Sequence, residues 1–417
     1  MMKKLLLLVI LLVLILGFWI SPDFQEIAAG VAIFLFGMLM LEDGFKQFSG
    51  GALERVLDKA TDTVPKSLGF GFVAATVMQS SSLVSVITIS FLSAGLIKLI
   101  AGIGIMFGAD IGTTTGAWLV AGFGLKVKIS AYAMPMLAVS IVLVFQKSKY
   151  LRGFGFVLAG LGFLFLGIHH MKEGFDAFKD QFDLTQFAMT GALGLIVYTI
   201  IGATATVVMQ SSHATMVLII TAMAAGQVSY ENAIALVIGA NIGTTITAII
   251  ASLTANYLGK RLALAHVIFK LVTAVVSLIL IDQLVWTVDW FSNLVGIGPD
   301  DYALKLAVFH TIFNLLGVGI MVPLMNRLIV LLERTVPEPE LDISQPRYLS
   351  KAGESFPTSM EAAMRKEVKH LQDNAIELIV HGLNLHRHEI YKAGDIAATV
   401  EKSTKEVPLD IDEKFER

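Results

Sequence analysis

The sequence predicts an all-α polytopic membrane protein with two inverted-topology repeats, each with a re-entrant helical hairpin and a broken transmembrane helix, followed by a short cytoplasmic helical segment. Three observations predict it. The 417 residues are 55% hydrophobic and 16% charged, with a mean hydropathy of +0.73, too apolar for a soluble chain of this length. Apolar segments long enough to cross a bilayer recur as far as residue 332. Two polar motifs, MQSSSL at 78–83 and MQSSHA at 209–214, interrupt that apolar sequence.

Composition also excludes function classes. A formal charge of −3 lacks the basic surface a nucleic-acid binder needs, so no nucleic-acid partner is expected. The chain has no cysteine, which removes disulfides, thiolate metal sites and a Cys nucleophile. Its nine His show no HExxH or comparable ligand spacing, leaving metal catalysis without support.

Taken in order, residues 1–26 read as an N-terminal transmembrane helix: two lysines precede an apolar core, but no small-x-small cleavage site precedes Ser21. Further spans are expected at 27–45, 97–123, 129–145, 153–171, 231–256, 262–282 and 303–332, with 129–145 the shortest. Segments 67–95 and 197–226 carry a polar motif near the middle. As helical hairpins each arm would be about 14 residues, too short to cross, so both read as re-entrant with the motif at the tip.

Basic residues support an N-terminus inside. Lys3, Lys4, Lys46, Arg55, Lys59, Lys66, Lys98, Lys147, Lys149, Arg152, Lys260, Arg261 and Arg334 fall on the inner side. Only Lys126, Lys128, Lys172 and Lys179 fall outside, and the expected outer loop 283–302 has none. The chain is thus expected in the cytoplasmic (inner) membrane, multi-pass, with both termini in the cytoplasm. Trp286, Trp290 and Phe291 read as an interfacial belt. A Pro-rich linker at 336–357 leads to a charged segment, in which Met364, Val368, Leu371, Ala375, Leu378 and Leu385 form one stripe, as in an amphipathic bundle helix.

The two motifs belong to an internal repeat. Met78-Gln79-Ser80-Ser81 aligns with Met209-Gln210-Ser211-Ser212 at an offset of 131 residues, and the same offset aligns GADIGTT at 108–114 with GANIGTT at 239–245. At offset 130, Gly37, Gly44, Phe45 and Phe48 match Gly167, Gly174, Phe175 and Phe178. The first transport-type repeat is assigned to 27–145 and the second to 146–282, with 283–335 forming the outer loop and last span, and 358–417 the helical segment. Three crossings separate the matched glycines, and an odd number inverts the second copy. Inverted repeats with interrupted helices mark secondary transporters, whose sites lie between the copies.

In each GA(D/N)IGTT segment two glycines weaken the helix and a Thr is placed to cap its restart. Carbonyls at such a break suit sodium and amides suit an anion. Gln side chains donate and accept, and Ser hydroxyls suit either ligand. The basic residues closest in sequence to the tips are Lys66 and Lys98, so an anion held there would be offset by helix N-termini and co-bound cations.

Paired Q-S-S-S motifs, each followed about thirty residues later by G-A-N-I-G-T-T, resemble the type II sodium/phosphate cotransporter family over about residues 27–332. That resemblance implies sodium-driven movement of inorganic phosphate by alternating access, with no enzymatic activity and no organic cofactor; sodium is the co-transported ion and the only metal. It puts Gln79, Ser80, Ser81, Ser82, Gln210, Ser211 and Ser212 at the substrate and sodium site, and Thr113, Thr114, Thr244 and Thr245 are further candidates for phosphate. The candidates for sodium, an overlapping set, are Ser80, Ser82, Asp110, Gln79, Gln210, Ser212, Asn241 and Thr244. The segment after 358 is similar to the start of a PhoU-like helical domain. Phosphate, sodium and the lipid bilayer are the expected partners; a homodimer and a cytoplasmic regulatory partner at the C-terminal segment are also allowed.

Two positions depart from the pattern: His213 replaces the last Ser of the second motif, and Asp110 stands opposite Asn241. An ionised Asp110 strengthens cation binding, and a protonated one admits proton coupling. Rival readings are a carrier of another small anion such as sulfate or a dicarboxylate, a membrane phosphate sensor, and a serine hydrolase using His213. The last lacks a GxSxG elbow.

Overall fold

The computed structural model of the chain describes residues 2–49, 61–124, 130–181, 184–339, 346–351 and 356–382, and among these it is helical with no strand. Helix α1 (Met2–Ile20) stops at Ser21, whose hydroxyl accepts from the Phe24 amide at 3.2 Å. Pro22, which needs no N–H partner, opens α2 (Pro22–Ser49). The helix boundary therefore falls at Ser21 and not near residue 26.

The first hairpin is α3 (Val64–Met78) and α4 (Ser81–Ser93), followed by α5 (Leu99–Gly112), α6 (Thr114–Leu119), α7 (Ser130–Val144) and α8 (Lys149–Gln181). The second is α9 (Gly191–Met209) and α10 (Ser212–Ala224), followed by α11 (Tyr230–Gly243) and α12 (Thr245–Ser252). Helices α13 (Tyr257–Ile279), α14 (Ile281–Leu294), α15 (Tyr302–Met321), α16 (Met325–Thr335) and α17 (Pro357–Gly382) complete the described chain. Among the described residues, seven helical stretches are long and apolar enough to cross a membrane: Pro22–Gln47, Leu99–Gly122, Lys149–Phe178, Gly191–Met209, Tyr230–Ser252, Tyr257–Ile279 and Tyr302–Met321. The chain is a multi-pass membrane protein.

The sequence repeat is a repeat of packing. A Cβ on Gly71 would lie 1.9 Å from the Ile105 carbonyl oxygen, and one on Gly202, at the equivalent position, 2.1 Å from that of Leu236. Helix α3 thus presses on α5 as α9 presses on α11, at a separation only glycine permits. Helices α2 and α8 pack antiparallel along a seam where Gly30, Gly37 and Gly44 meet the backbones of Gly167, Gly160 and Gly153. Small residues of this kind let membrane helices touch backbone to backbone. Helices α13 and α15 pack against α5 and α11, one from each repeat. Phe107 of α5 stacks on Phe269 of α13 at 4.3 Å, deep in one of the two main apolar cores.

Several sequence expectations change here. Helix α9 has 19 residues, so that arm is not a short one of about 14; α3, α4 and α10 have 15, 13 and 13. Segment 129–145 forms a 15-residue helix containing Pro135, too short to count among the seven spans. The outer loop expected at 283–302 is mostly helix α14, on which Trp286 and Trp290 are exposed. Its polar residues hid a period that buries Leu284, Val288 and Ser292. The span expected at 303–332 divides at Pro323 into α15 and α16. Arg55, Lys59, Lys126, Lys128, Leu385 and the tail lie outside the described residues.

Candidate functional site

Each polar motif is a two-residue turn between helices. Gln79 (φ 50°, ψ 27°) and Gln210 (φ 52°, ψ 23°) end α3 and α9 in the left-handed region, and they are the non-glycine residues with positive φ among the described residues. Holding a glutamine there costs about 1 kcal/mol, and such strain gathers at functional positions. The next residue turns extended and caps the second arm: Ser80 accepts from the Leu83 amide at 3.2 Å, and Ser211 from the Ala214 amide at 3.1 Å. Both arms end alike, on Gly95 and Gly226 with positive φ. Their amides return to Leu92 and Met223, which satisfies helix-end carbonyls.

The tips reach across to the opposite repeat at equivalent points. Ser82, at the start of α4, lies hydroxyl to hydroxyl 3.2 Å from Thr247 of α12. His213, at the start of α10, lays its ring on Gly116 of α6, where a Cβ would sit 1.5 Å from the imidazole Cε1. The 131-residue offset converts Ser82 into His213 and Gly116 into Thr247, so these are one contact made twice with exchanged partners. A large ring faces a glycine on one side; two hydroxyls share the space on the other. Phe34 of α2 stacks on His213 at 6.1 Å.

The glutamines differ. The Gln79 amide donates to the Thr76 carbonyl at 2.6 Å and to Thr115 Oγ1 at 3.1 Å. Ile246 stands where the second repeat would need that threonine, and Gln210 is exposed and makes no side-chain hydrogen bond among the described residues. Ser81 is buried, Ser80, Ser82, Ser211 and Ser212 half-buried, and Ser211 Oγ lies 3.8 Å from Met38 Sδ.

The GA(D/N)IGTT segments are less broken than the glycines imply. Only Thr113 and Thr244 interrupt the helices, both with right-handed helical dihedrals and backbone N–H bonds to Ala109 and Ala240. Neither caps a restart. The Thr113, Thr114, Thr244 and Thr245 hydroxyls turn back to the carbonyls of Asp110, Ile111, Asn241 and Ile242, at 2.8, 2.8, 2.5 and 2.9 Å. Threonine satisfies itself this way inside a helix, which bends it without opening it. Thr247 does the same to the Thr244 carbonyl while reaching Ser82.

Asp110 and Asn241 meet at a buried cation. Lys270 Nζ, from α13, lies 3.0 Å from Asp110 Oδ1, 3.0 Å from Asn241 Oδ1 and 2.9 Å from Asn314 Oδ1 of α15, with the lysine 1% exposed. Asp110 Oδ2 faces His266 Nε2 at 3.1 Å, so the ring carries its proton on Nε2 and donates there. Sequence reasoning that looked for cations at the membrane edge overlooked Lys270. Its signal was present: a lysine inside the apolar run HVIFKLVTAVV, where an unpaired ammonium is costly, with His266 one helical turn before it. Other histidines serve the frame: His169 and His170 approach Glu173 and Glu26 at 3.3 and 2.5 Å.

A third set of contacts binds α17 to the far end of the first hairpin. Ser359 and Ser90 hydroxyls lie 2.8 Å apart with both residues buried, and Lys366 donates to the Gly95 carbonyl. Glu367 accepts from the Tyr348 amide at 2.7 Å and lies 3.3 Å from His370 Nδ1. The stripe of Met364, Val368, Leu371 and Leu378 is exposed, so α17 docks by another face.

The family model described as Na+/Pi-cotransporter matches residues 33–173 and 185–306. The chain is 28% identical over 374 residues to the "Putative inorganic phosphate export protein YjbB" of Salmonella typhimurium, and 27% identical over 374 residues to its namesake in Escherichia coli K12. Each match covers 87% of this chain and 65% of the relative, so the chain spans just under two thirds of those proteins. It is also 27% identical over 315 residues to "Uncharacterized protein YqeW" of Bacillus subtilis, covering 74% of this chain and 96% of that one. No solved structure matches it.

Proposed function

Because the chain belongs to the Na+/Pi-cotransporter family, we propose that it carries inorganic phosphate across the cytoplasmic membrane, coupled to sodium, by alternating access. The observation that carries the reading is the exchanged pair of tip contacts, Ser82 with Thr247 and His213 with Gly116. Two strained polar turns, each seated on the other repeat, form one site that opens to either side as the hairpins shift against α6 and α12. Inverted topology, with the two hairpins entering from opposite faces, follows from this reading.

Support for the ligand chemistry comes from the groups at the turns. Gln79, Ser80, Ser81 and Ser82 on one hairpin, with Gln210, Ser211 and Ser212 on the other, supply amide and hydroxyl groups for phosphate oxygens and sodium. The first-turn amides of α4 and α10 add positive dipole ends for the anion. The Thr113, Thr114, Thr244 and Thr245 hydroxyls spend their protons on carbonyls, so these threonines serve a ligand only as acceptors, toward sodium. Among the described residues His213 makes no hydrogen bond to a serine, which leaves a hydrolytic dyad without support. With two relatives named for phosphate export, sodium and phosphate gradients are to be tested in both directions.

The test is labelled phosphate uptake by purified protein in liposomes under an inward sodium gradient. The reading predicts uptake that fails when potassium replaces sodium, resists excess sulfate or dicarboxylate, and is lost in Gln210→Ala. Uptake displaced by sulfate would name another anion; folded protein with no sodium-dependent flux would overturn the reading.

A further inference from the structure

Lysine 270 sits where the two repeats meet. Asp110 and Asn241 are equivalent positions, 131 residues apart, and both turn a side-chain oxygen to the same ammonium. Asn314 supplies a third, so all three N–H donors of Lys270 are used within 3.0 Å, in a cluster 5% exposed or less. One carboxylate and two amide oxygens, with no sulfur, form the donor set that hard cations choose. His266 Nε2 occupies the other Asp110 oxygen at 3.1 Å, so both carboxylate oxygens are engaged. A separate ion has no place in this cage while Lys270 fills it.

We propose that Lys270 is the resident cation of this chain: its ammonium occupies a cation site built by the two repeats, so that the protein takes one cation fewer from solution than its oxygen cages could hold. Asp110 and Asn241 then bind a tethered charge and not a coupling sodium. Lys270 sets the ion count by supplying in every state of the cycle a charge that cannot leave. Truncating it leaves three inward oxygens, one of them a carboxylate's, around a vacated space that sodium enters.

The consequence for ion count rests on the carrier reading above, but the site can be read without transport. Thermal unfolding of the purified chain would be followed in sodium chloride and in choline chloride for wild type, Lys270→Ala and Lys270→Ala/Asp110→Asn. Lys270→Ala is expected to gain a saturable sodium-dependent rise in Tm of about 2 °C or more beyond that of wild type, and the double variant to lose the gain. If Lys270→Ala does not fold, Lys270→Ser makes the same charge change, leaves the cage open and carries the same expectation. A Tm in these lysine variants no more sensitive to sodium than in wild type, or a gain that survives Asp110→Asn, would overturn the proposal. Neither result bears on phosphate flux, so an absent cage and an absent carrier remain distinguishable.

Discussion

At the scale of single residues, the two halves solve one contact differently. A threonine at 116 would collide with the His213 ring, whereas Ser82 and Thr247 show that a small pair fits the same junction. Gly116→Thr is therefore expected to lower Tm by several degrees, and Gly116→Thr/His213→Ser to recover most of it. Thermal unfolding of the four members of that cycle measures the coupling; additive losses would contradict the exchanged contact. The buried charges make a second residue-scale prediction. Asp110→Asn leaves the Lys270 ammonium without its carboxylate, at a cost of about 3–5 kcal/mol, while Asp110→Asn/Lys270→Met removes both charges and restores much of it. Chemical denaturation in detergent would test this; equal stability of single and double variants would show that the pair is not coupled.

At the scale of elements, the hairpin arm α4 is held at both ends: Ser82 by α12, and its C-terminal end by Asn256, which donates to the Ser93 carbonyl at 2.9 Å, and by α17. Glu367 fastens α17 and the segment before it. Burial would raise its pKa, but the Tyr348 and Arg347 amides, the His370 ring and the Leu349 amide outweigh burial and hold it below the usual carboxylate range. A lowered folded pKa stabilises the docked helix above the unfolded value of about 4.3, and that stability is lost as pH falls through the folded pKa. Hydrogen exchange in 357–382, corrected for its intrinsic pH dependence, is expected to rise below about pH 4. In Glu367→Gln it should already be raised at neutral pH and change little on acidification. Exchange indifferent to both would deny Glu367 that role. Element existence was largely legible in the sequence, because apolar length and the repeat mark α2, α5, α8, α11, α13 and α15. The division at Pro323 and helix α14 were less legible, since the first falls inside one continuous apolar run and the second is half polar.

At the scale of the whole molecule, the repeat organises everything: α3 on α5 as α9 on α11, two strained glutamine turns, and two tips seated on opposite partners. Its motifs were legible because one offset aligned them without a gap. Lys270 was not, because α13 lies outside the repeated motifs and its lysine reads as a defect in an apolar span until Asp110, Asn241 and Asn314 are seen around it. The threonines were misread for a local reason: spacing cannot tell a hydroxyl that caps the next turn from one that bonds back to the last. The central claim is that phosphate and sodium move together through the paired hairpins, and reversal of the sodium gradient tests it most directly. Purified protein in liposomes with equal labelled phosphate on both sides is predicted to accumulate phosphate when sodium is high outside and to expel it when sodium is high inside. Phosphate that stays equally distributed under both gradients, in protein shown to be folded, would contradict the account.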